Sequence, residues 1–377
     1  MTGFAIQGWC PDAWRPMAAG DGLLVRIGPP LGRLTRAQAM GLCAAAIAHG
    51  NGQIDATSRA RLQIRGVGAD WRALVERLAA LGLVARDPAR ERRGNIIVAP
   101  DWCAGDDTQR IATDLTARLR ELPVLPDKTG FVIDAGPAPV LGGDPGDFRI
   151  ERAADGRLIL RADGRAGGVA LDHGGEAAAL IALAGWFVAS GGRTRMARHH
   201  APLPGWARGA VAPAPPAPAP RPGAHPLGSA LAIPFGRIDA AALARFVAGS
   251  GLTALRLTPW RMVIAEGVAE GVADAAPAGF VATPDAPVMR ADACVGAPAC
   301  RQATVATRAL AARLAPFVTG RLHVSGCAKG CARARPADVV LTGSDGRFDL
   351  AFAARAGDPP AAAGLDAAGV LARFGAA

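Results

Sequence analysis

The sequence predicts an α+β protein built as two related halves. Three observations carry this: an alanine-proline segment that divides the chain, landmarks that recur in the same order on either side of it, and alternating strand and helix signals within each copy. The dividing segment is VAPAPPAPAPRPGAHP, residues 211–226. Its prolines lack the N–H that helix interiors and central strands require and favour extended polyproline geometry, so it reads as a semi-rigid linker. A ligand for a proline-binding module is the other reading of such a composition, but flanking specificity residues are absent.

The repeat orders the rest of the chain. Arg15-Pro16 opens the first copy, followed by Gly32-Arg33-Leu34, a helical pattern, Ile54-Asp55-Ala56-Thr57-Ser58-Arg59 and a close at Gly66-Val67. Arg221-Pro222 opens the second, followed by Gly236-Arg237-Ile238, an Ala-rich helix, Leu255-Arg256-Leu257-Thr258-Pro259-Trp260 and a close at Gly267-Val268. Each copy reads as strand, helix, strand. In the first, residues 23–27 are apolar and β-prone, residues 37–49 are helix formers, and residues 62–67 alternate with period two. A second block follows each unit, with strand signals at 95–98, 131–133 and 339–342 and helical patterns at 108–122 and 305–314. The expected organisation is a first half-domain over 1–90, an α+β module over 91–210, the linker over 211–226, a second half-domain over 227–285 and a second module over 286–377. Only the last contains four spaced cysteines.

At 377 residues the chain can bury two substantial cores, and with 50% apolar and 20% charged residues it reads as folded rather than disordered. The net charge of +10 comes mainly from arginine, whose planar fork pairs with carboxylates and phosphates. An anionic partner and a merely arginine-rich solvated surface both remain open. Scattered basic residues and few aromatics argue against nucleic acid, whereas a small polycarboxylate fits. The start, MTGFAIQGWCPDAW, lacks the basic lead and apolar run of a secretory signal. The most apolar stretch, residues 177–190, is too short to span a bilayer. A cytoplasmic protein without a membrane anchor is expected, with that stretch a buried helix.

In a reducing compartment seven cysteines are not a disulfide framework, which turns the expectation to metal or redox chemistry. Five residues separate Cys294 from Cys300, and three separate Cys327 from Cys331. Four thiolates suit a cubane 4Fe-4S cluster. Zinc stays open, although its paired ligands usually stand about two to four residues apart, and so do unrelated core cysteines. Gly296, Gly326 and Gly330 would let backbone N–H groups approach sulfur. Lys329 and Arg333 would either set positive charge beside an anionic cluster or serve solubility. Cys10, Cys43 and Cys103 lack partners at ligand spacing and read as buried hydrophobes. For a second, non-haem iron no His/carboxylate triad is legible; His199, His200 and His323 come nearest, and His323 reads better as a packed or capping residue.

Spacing, repeat and linker together resemble the sulfite and nitrite reductase superfamily, in which C-x5-C and C-x3-C pairs bind a 4Fe-4S cluster beside sirohaem. The resemblance covers nearly the whole chain. It implies ferredoxin-like half-domains and sulfite-reductase-type cluster modules related by a pseudo-twofold axis, with the tetrapyrrole between the halves. Within the superfamily the stretches CPDAWRPM, GDGLLVRI, GQIDATSRARLQIRGV and HVSGCAKGCARARPADVVLTG are most similar to the precorrin-3B synthase family of aerobic cobalamin biosynthesis. That similarity implies precorrin-3A and dioxygen as substrates, hydroxylation at carbon 20 and closure of a γ-lactone. It also implies an electron donor, which the sequence does not name because no Gly-rich dinucleotide fingerprint or flavin motif is present.

The resemblance carries residue roles as well. The reductases' Thr-x-Arg-x-x-x-Gln segment is matched by Thr57, Arg59 and Gln63, which makes Arg59 the expected active-site cation. Their next arginine aligns, with a one-residue slip, in Arg92-Arg93-Gly94-Asn95-Ile96 and implies Arg93. Leu125-Pro126-Asp127-Lys128-Thr129-Gly130 keeps one of two alternate lysines, Lys128, and has Gly130 in place of the other. Gripping a small oxyanion takes several positive groups, so this loss turns the expectation toward a substrate ringed by acetates and propionates. Arg59 and Lys128 are the expected catalytic cations, and Arg59, Arg61, Arg65, Arg93 and Lys128 the substrate-binding set. Arg59, Arg61, Gln63 and Arg65 would share one face of an alternating strand, as they would on a solvated basic edge. Cys294, Cys300, Cys327 and Cys331 are the implied cluster ligands. Cys331, which in the reductases bridges to sirohaem iron, would here ligate the cluster alone, since a precorrin has no iron. A compact sirohaem-dependent sulfite or nitrite reductase and a non-catalytic iron-sulfur carrier or sensor remain the alternatives.

Overall fold

The computed structural model describes residues 9–269 and 279–376. Residues 1–8, on which part of the secretory-signal expectation rests, lie outside that description. In the first half, β1 (Met17–Ala19) and β2 (Gly22–Ile27) form a hairpin, β3 (Arg33–Thr35) leads into α1 (Arg36–His49), and β4 (Gln53–Ala56) and β5 (Leu62–Val67) complete the unit. Next come α2 (Trp71–Ala80), α3 (Pro88–Arg93), β6 (Ile96–Val98), α4 (Asp107–Ala117), β7 (Phe131–Asp134), β8 (Phe148–Arg152), β9 (Leu158–Ala162), β10 (Val169–Ala170) and α5 (Glu176–Ala189). The second half repeats the plan with β11 (Gly223–His225), β12 (Gly228–Ala232), β13 (Arg237–Asp239), α6 (Ala240–Gly249), β14 (Ala254–Leu257) and β15 (Met262–Glu266). It ends with β16 (Ala291–Ala293), α7 (Arg308–Leu314), β17 (Leu322–Ser325), β18 (Ala337–Ser344), β19 (Arg347–Ala354), β20 (Ala362–Leu365) and α8 (Ala367–Arg373).

The two half-domains are joined by an exchange of strands. The sheets run β1-β2-β5-β4-β13 and β11-β12-β15-β14-β3, so each half lends its short third strand to the other. Ile238 pairs with Ile54, and Leu34 with Leu255. The turn before each lent strand has the same shape, with Leu31 at φ 54° and Phe235 at φ 55°. Ala60 and Arg261, at φ 50° and 56°, likewise occupy matching turns after β4 and β14. Left-handed backbone costs a residue with a β-carbon about 1–2 kcal/mol, so its recurrence at matched places marks a repeated fold as well as a repeated sequence. A capping box of Thr35 and Gln38 starts α1, which packs on α6 between the sheets and merges both half-domains into one core. The fold is α+β with a pseudo-twofold repeat.

The two modules also match. Their sheets run β6-β7-β8-β9-β10 and β16-β17-β18-β19-β20, two parallel pairings followed by two antiparallel ones. Each has its own core, and α5 buries Leu180, Leu183 and Phe187 in the first. Helix α7 begins later than its periodicity predicts, because Thr307 Oγ1 donates to the Cys294 carbonyl (2.7 Å) and holds the preceding turn outside the helix. The Ala/Pro segment lies along the first module, where Ala214 N–H donates to Arg152 and Ala217 N–H to Pro139. Within it Gly223–His225, between Pro222 and Pro226, is already strand β11, earlier than composition predicts. Among the described residues no helix is long and apolar enough to cross a membrane.

Candidate functional site

A cavity of about 220 Å³ opens between the first half-domain and the first module. Arg15, Arg26, Arg59, Arg61, Arg92, Arg93 and Lys128 line it, against the carboxylates of Asp12, Glu91 and Asp127. Seven cations against three anions make it an anion-seeking space. The fold thus gathers Arg59, Arg61, Arg93 and Lys128 from three separate stretches of sequence. It does so inside the first half rather than between the halves, because the packed α1 and α6 and the exchanged strands fill that interface.

The Thr-x-Arg-x-x-x-Gln segment works through its turn. Thr57 Oγ1 accepts the N–H groups of Arg59 and Arg61 (both 3.3 Å), and Ala60 takes the left-handed conformation. Arg59 therefore projects from a turn and does not belong to the alternating strand, a correction to the shared-face expectation. Gln63 Oε1 accepts two hydrogen bonds from Arg26 (3.1 and 2.7 Å), which holds that arginine at the cavity. Among the described residues the Arg59 guanidinium has no carboxylate bonded to it, only a long contact to the Lys128 carbonyl (3.5 Å). Burial lowers its pKa, opposed by the nearby Cys10 thiol and reinforced by Arg195 and Arg26.

Arg61 lies deeper and donates to the Gly94 carbonyl. Burial lowers its pKa while Glu91 opposes the shift, and burial in turn raises that of Glu91. Gly28 makes room for this guanidinium; a β-carbon there would stand 2.7 Å from it. A second cavity of about 490 Å³ shares Arg61 and Glu91 as its wall.

Lys128 sits at φ 72° in a loop held from several sides. Arg195 Nη1 donates to its carbonyl (2.7 Å), Asn95 Nδ2 to that of Thr129 (2.6 Å), and Gly130 N–H to Asp147 (2.9 Å). Asp147 is wholly buried and also binds Arg195 (3.1 Å) and the Met196 N–H (2.8 Å). Arg15, Arg26, Arg195 and Asp147 were not among the sequence-predicted residues, and only the Gln63 position hinted at one of them.

Arg65 does not join the cavity. It is 2% exposed, with its donors taken by Asp21 (2.9 Å twice), Asp55 (3.1 Å) and the Ala299 carbonyl (3.1 Å). Strand alternation sets its face but not what meets that face, and here two carboxylates do.

The four spaced cysteines lie on two loops at the ends of neighbouring strands, Cys294 and Cys300 after β16, Cys327 and Cys331 after β17. Burial raises the pKa of Cys331; Lys329 opposes this, and Cys294, Cys327 and Cys300 add to it, so the other three sulfurs lie within electrostatic reach of Cys331. Gly326 N–H donates to Cys294 Sγ (3.1 Å), the sulfur-directed donor expected of that glycine. Gly296, at φ 72°, has Thr307 Oγ1 where a β-carbon would come within 2.7 Å. Among the described residues no three His, Cys, Asp or Glu side chains are arranged to share a single metal ion. A cubane binds each thiolate to a different iron, so an all-sulfur donor set spread over two glycine-bearing loops suits it better than it suits one ion.

The remaining cysteines do not behave alike. Cys43 is buried, its thiol pushed up to about 12 chiefly by burial, but Cys103 is exposed and Cys10 is half-buried at the cavity, against the expectation for both. His199 bonds Ser190 (2.8 Å) and packs on Trp186 and Phe187, His200 is exposed, and His323 is fully buried, with neither ring nitrogen hydrogen-bonded among the described residues. No facial triad forms around them among the described residues.

Residues 15–81 match the family described as the nitrite/sulfite reductase ferredoxin-like half domain. The solved structure of the Mycobacterium tuberculosis NirA protein superposes with a TM-score of 0.57, covering 90% of this chain and 76% of that one at 17% identity. Repeated half-domains, paired modules and this likeness define a protein of the nitrite/sulfite reductase fold. A curated precorrin-3B synthase from a Sinorhizobium species is 34% identical across 94% of this chain and 85% of its own length. The chain belongs to the precorrin-3B synthase family, and it is an oxidoreductase.

Proposed function

We propose that the protein hydroxylates precorrin-3A at carbon 20 using dioxygen and closes a γ-lactone from a ring A acetate. The observation that carries this reading is the cationic cavity, in which Arg59 has no bonded carboxylate of its own among the described residues. A tetrapyrrole ringed with acetates and propionates supplies the missing anions, which Arg59 and Arg61 can take in two-pronged hydrogen bonds and Lys128 as a point charge. Fixing several carboxylates at once orients the macrocycle, and orientation is the main contribution protein side chains make to such a reaction. The anchored loop supports this role by keeping Lys128 in place at the cavity.

One oxygen atom enters the substrate and the other leaves as water, so two electrons come from an external donor. A 4Fe-4S cluster on Cys294, Cys300, Cys327 and Cys331 would supply single-electron transfer. Anaerobic loading with precorrin-3A followed by isotopically labelled dioxygen should add one labelled oxygen atom to the product mass. An unchanged mass with an intact cluster would point to an electron carrier, and sirohaem in the purified pigment to a reductase; either overturns the proposal.

A further inference from the structure

We propose that Arg65 is a positioning residue that holds the cysteine loop 294–300, and through it the cluster, against the strand that leads from the Arg59 turn; this rests on the cluster reading above. Arg65 Nη2 donates to the carbonyl of Ala299, the residue before Cys300 (3.1 Å). Gly20 N–H donates to the same carbonyl (3.0 Å), and Arg301 Nε reaches the Ala19 carbonyl (3.1 Å). A β-carbon on Gly20 would stand 2.0 Å from the Pro298 carbonyl oxygen, so the contact is as close as backbones allow. The β1–β2 hairpin and β5 therefore clasp the loop between the first two cysteines.

Arg65 is itself fixed. Asp21 takes two of its hydrogen bonds and Asp55 a third, and Asp55 also binds Arg237 of β13 (3.2 Å) and Arg308 at the start of α7 (3.1 Å). Burial alone would raise the pKa of Asp55, but Arg308, Arg237 and Arg65 outweigh it and leave it lowered. A buried network whose members are hydrogen-bonded is stiff, since removing any one strands a charge in low dielectric.

The other half supplies an internal control. Asp55 and Arg65 correspond in the repeat to Arg256 and Glu266, which pair with the charges reversed. Arg33, lent on β3, binds Glu266 (2.6 Å) as Arg237, lent on β13, binds Asp55. Arg256 reaches across to the Pro100 carbonyl (3.0 Å), in the loop after β6 that corresponds to the cysteine loop. The same clasp thus closes on both modules; Arg256 also donates to the Trp102 carbonyl (2.5 Å), beside the lone Cys103, and only the clasp at Arg65 ends on a loop that carries two of the four spaced cysteines.

The test compares Arg65→Gln, Arg65→Lys and Arg256→Gln in the full chain with its reconstituted cluster. Melting temperature, rate of iron loss in air, and the midpoint potential and resonance spectrum of the reduced cluster are measured. Arg65→Gln should lose iron severalfold faster and shift the potential, with Arg65→Lys between it and the parent. Arg256→Gln should lower the melting temperature and leave the cluster properties unchanged. Equal effects of Arg65→Gln and Arg256→Gln on the cluster, or none from either, overturn the proposal. Should Arg65→Gln not fold, Arg65→Lys and Asp21→Asn carry the same comparison. A parent protein that takes up no cluster sinks the cluster reading itself, a result distinct from a parent cluster that ignores Arg65.

Discussion

In the first module the N–H of Ala99 donates to the Ile133 carbonyl (2.9 Å); in the second the N–H of Cys294 donates to Val324 (3.3 Å). Strand register makes these the same place, so Ala99 stands where Cys294 does and Asp134, ending β7, stands where Ser325 ends β17. Matching sheets therefore launch their loops from matching points toward different chemistry. One module contributes the anchored Lys128 loop to a basic cavity, and the other displays four thiols. The difference teaches that the sheet order fixes only where a loop emerges, while the residues on that loop decide what the module can do.

The sharpest break in the comparison comes from the cysteines. Cys300→Ser or Cys331→Ala should abolish cluster iron and sulfide by chemical analysis, while Cys103→Ser, in the first module, should keep both. Next, Asp55→Asn and Glu266→Gln each remove a buried carboxylate from between arginines, at about 3–5 kcal/mol by urea denaturation. Similar losses support the equivalence of the two clasps; a loss at one site alone breaks it. Smaller is Arg59→Ala, expected to weaken precorrin-3A binding by about 1.5–3 kcal/mol in a spectroscopic titration. Its counterpart in the repeat, Trp260, should tolerate Trp260→Phe with binding unchanged.

The smallest effect concerns Asp134, whose carboxyl is raised to about 7 by burial and, less strongly, by Asp101 and Glu151. Because the folded value lies above the ordinary 3.8, protonation stabilises the fold at low pH, and this contribution is lost as pH rises from about 4 to about 7. Asp134→Asn should flatten that dependence and gain about 1 kcal/mol at pH 8, the relief of a buried charge being partly offset by an unpaired amide. Unchanged thermal melts at both pH 5 and pH 8 would count against it.

The strand-helix-strand units and the paired cysteines were legible because periodicity and spacing are local. The exchange of β3 and β13 was not. Both are three-residue strands, too short for periodicity to speak, and their partners lie in the opposite half of the chain. Alternation placed Arg59 on a strand because it cannot register the left-handed Ala60 that turns the chain just after it. The same rule misassigned Arg65, whose neighbours Asp21 and Asp55 come from two other strands and turns. Arg195 and Asp147 were invisible for a related reason: each acts on the Lys128 loop from a distant stretch, and nothing in their own surroundings marks them.

Strand exchange also bears on the order in which the protein can be made. As the chain leaves the ribosome, β3 has no partner until Ala254–Leu257 has followed it, and β4 keeps a bare edge until Arg237–Asp239 arrives. The nascent first half is therefore complete in sequence yet open along two strand edges, the condition that invites pairing with a wrong neighbour. Translation past residue 239 lets the first sheet close and translation past residue 266 the second, both later than the Ala/Pro segment.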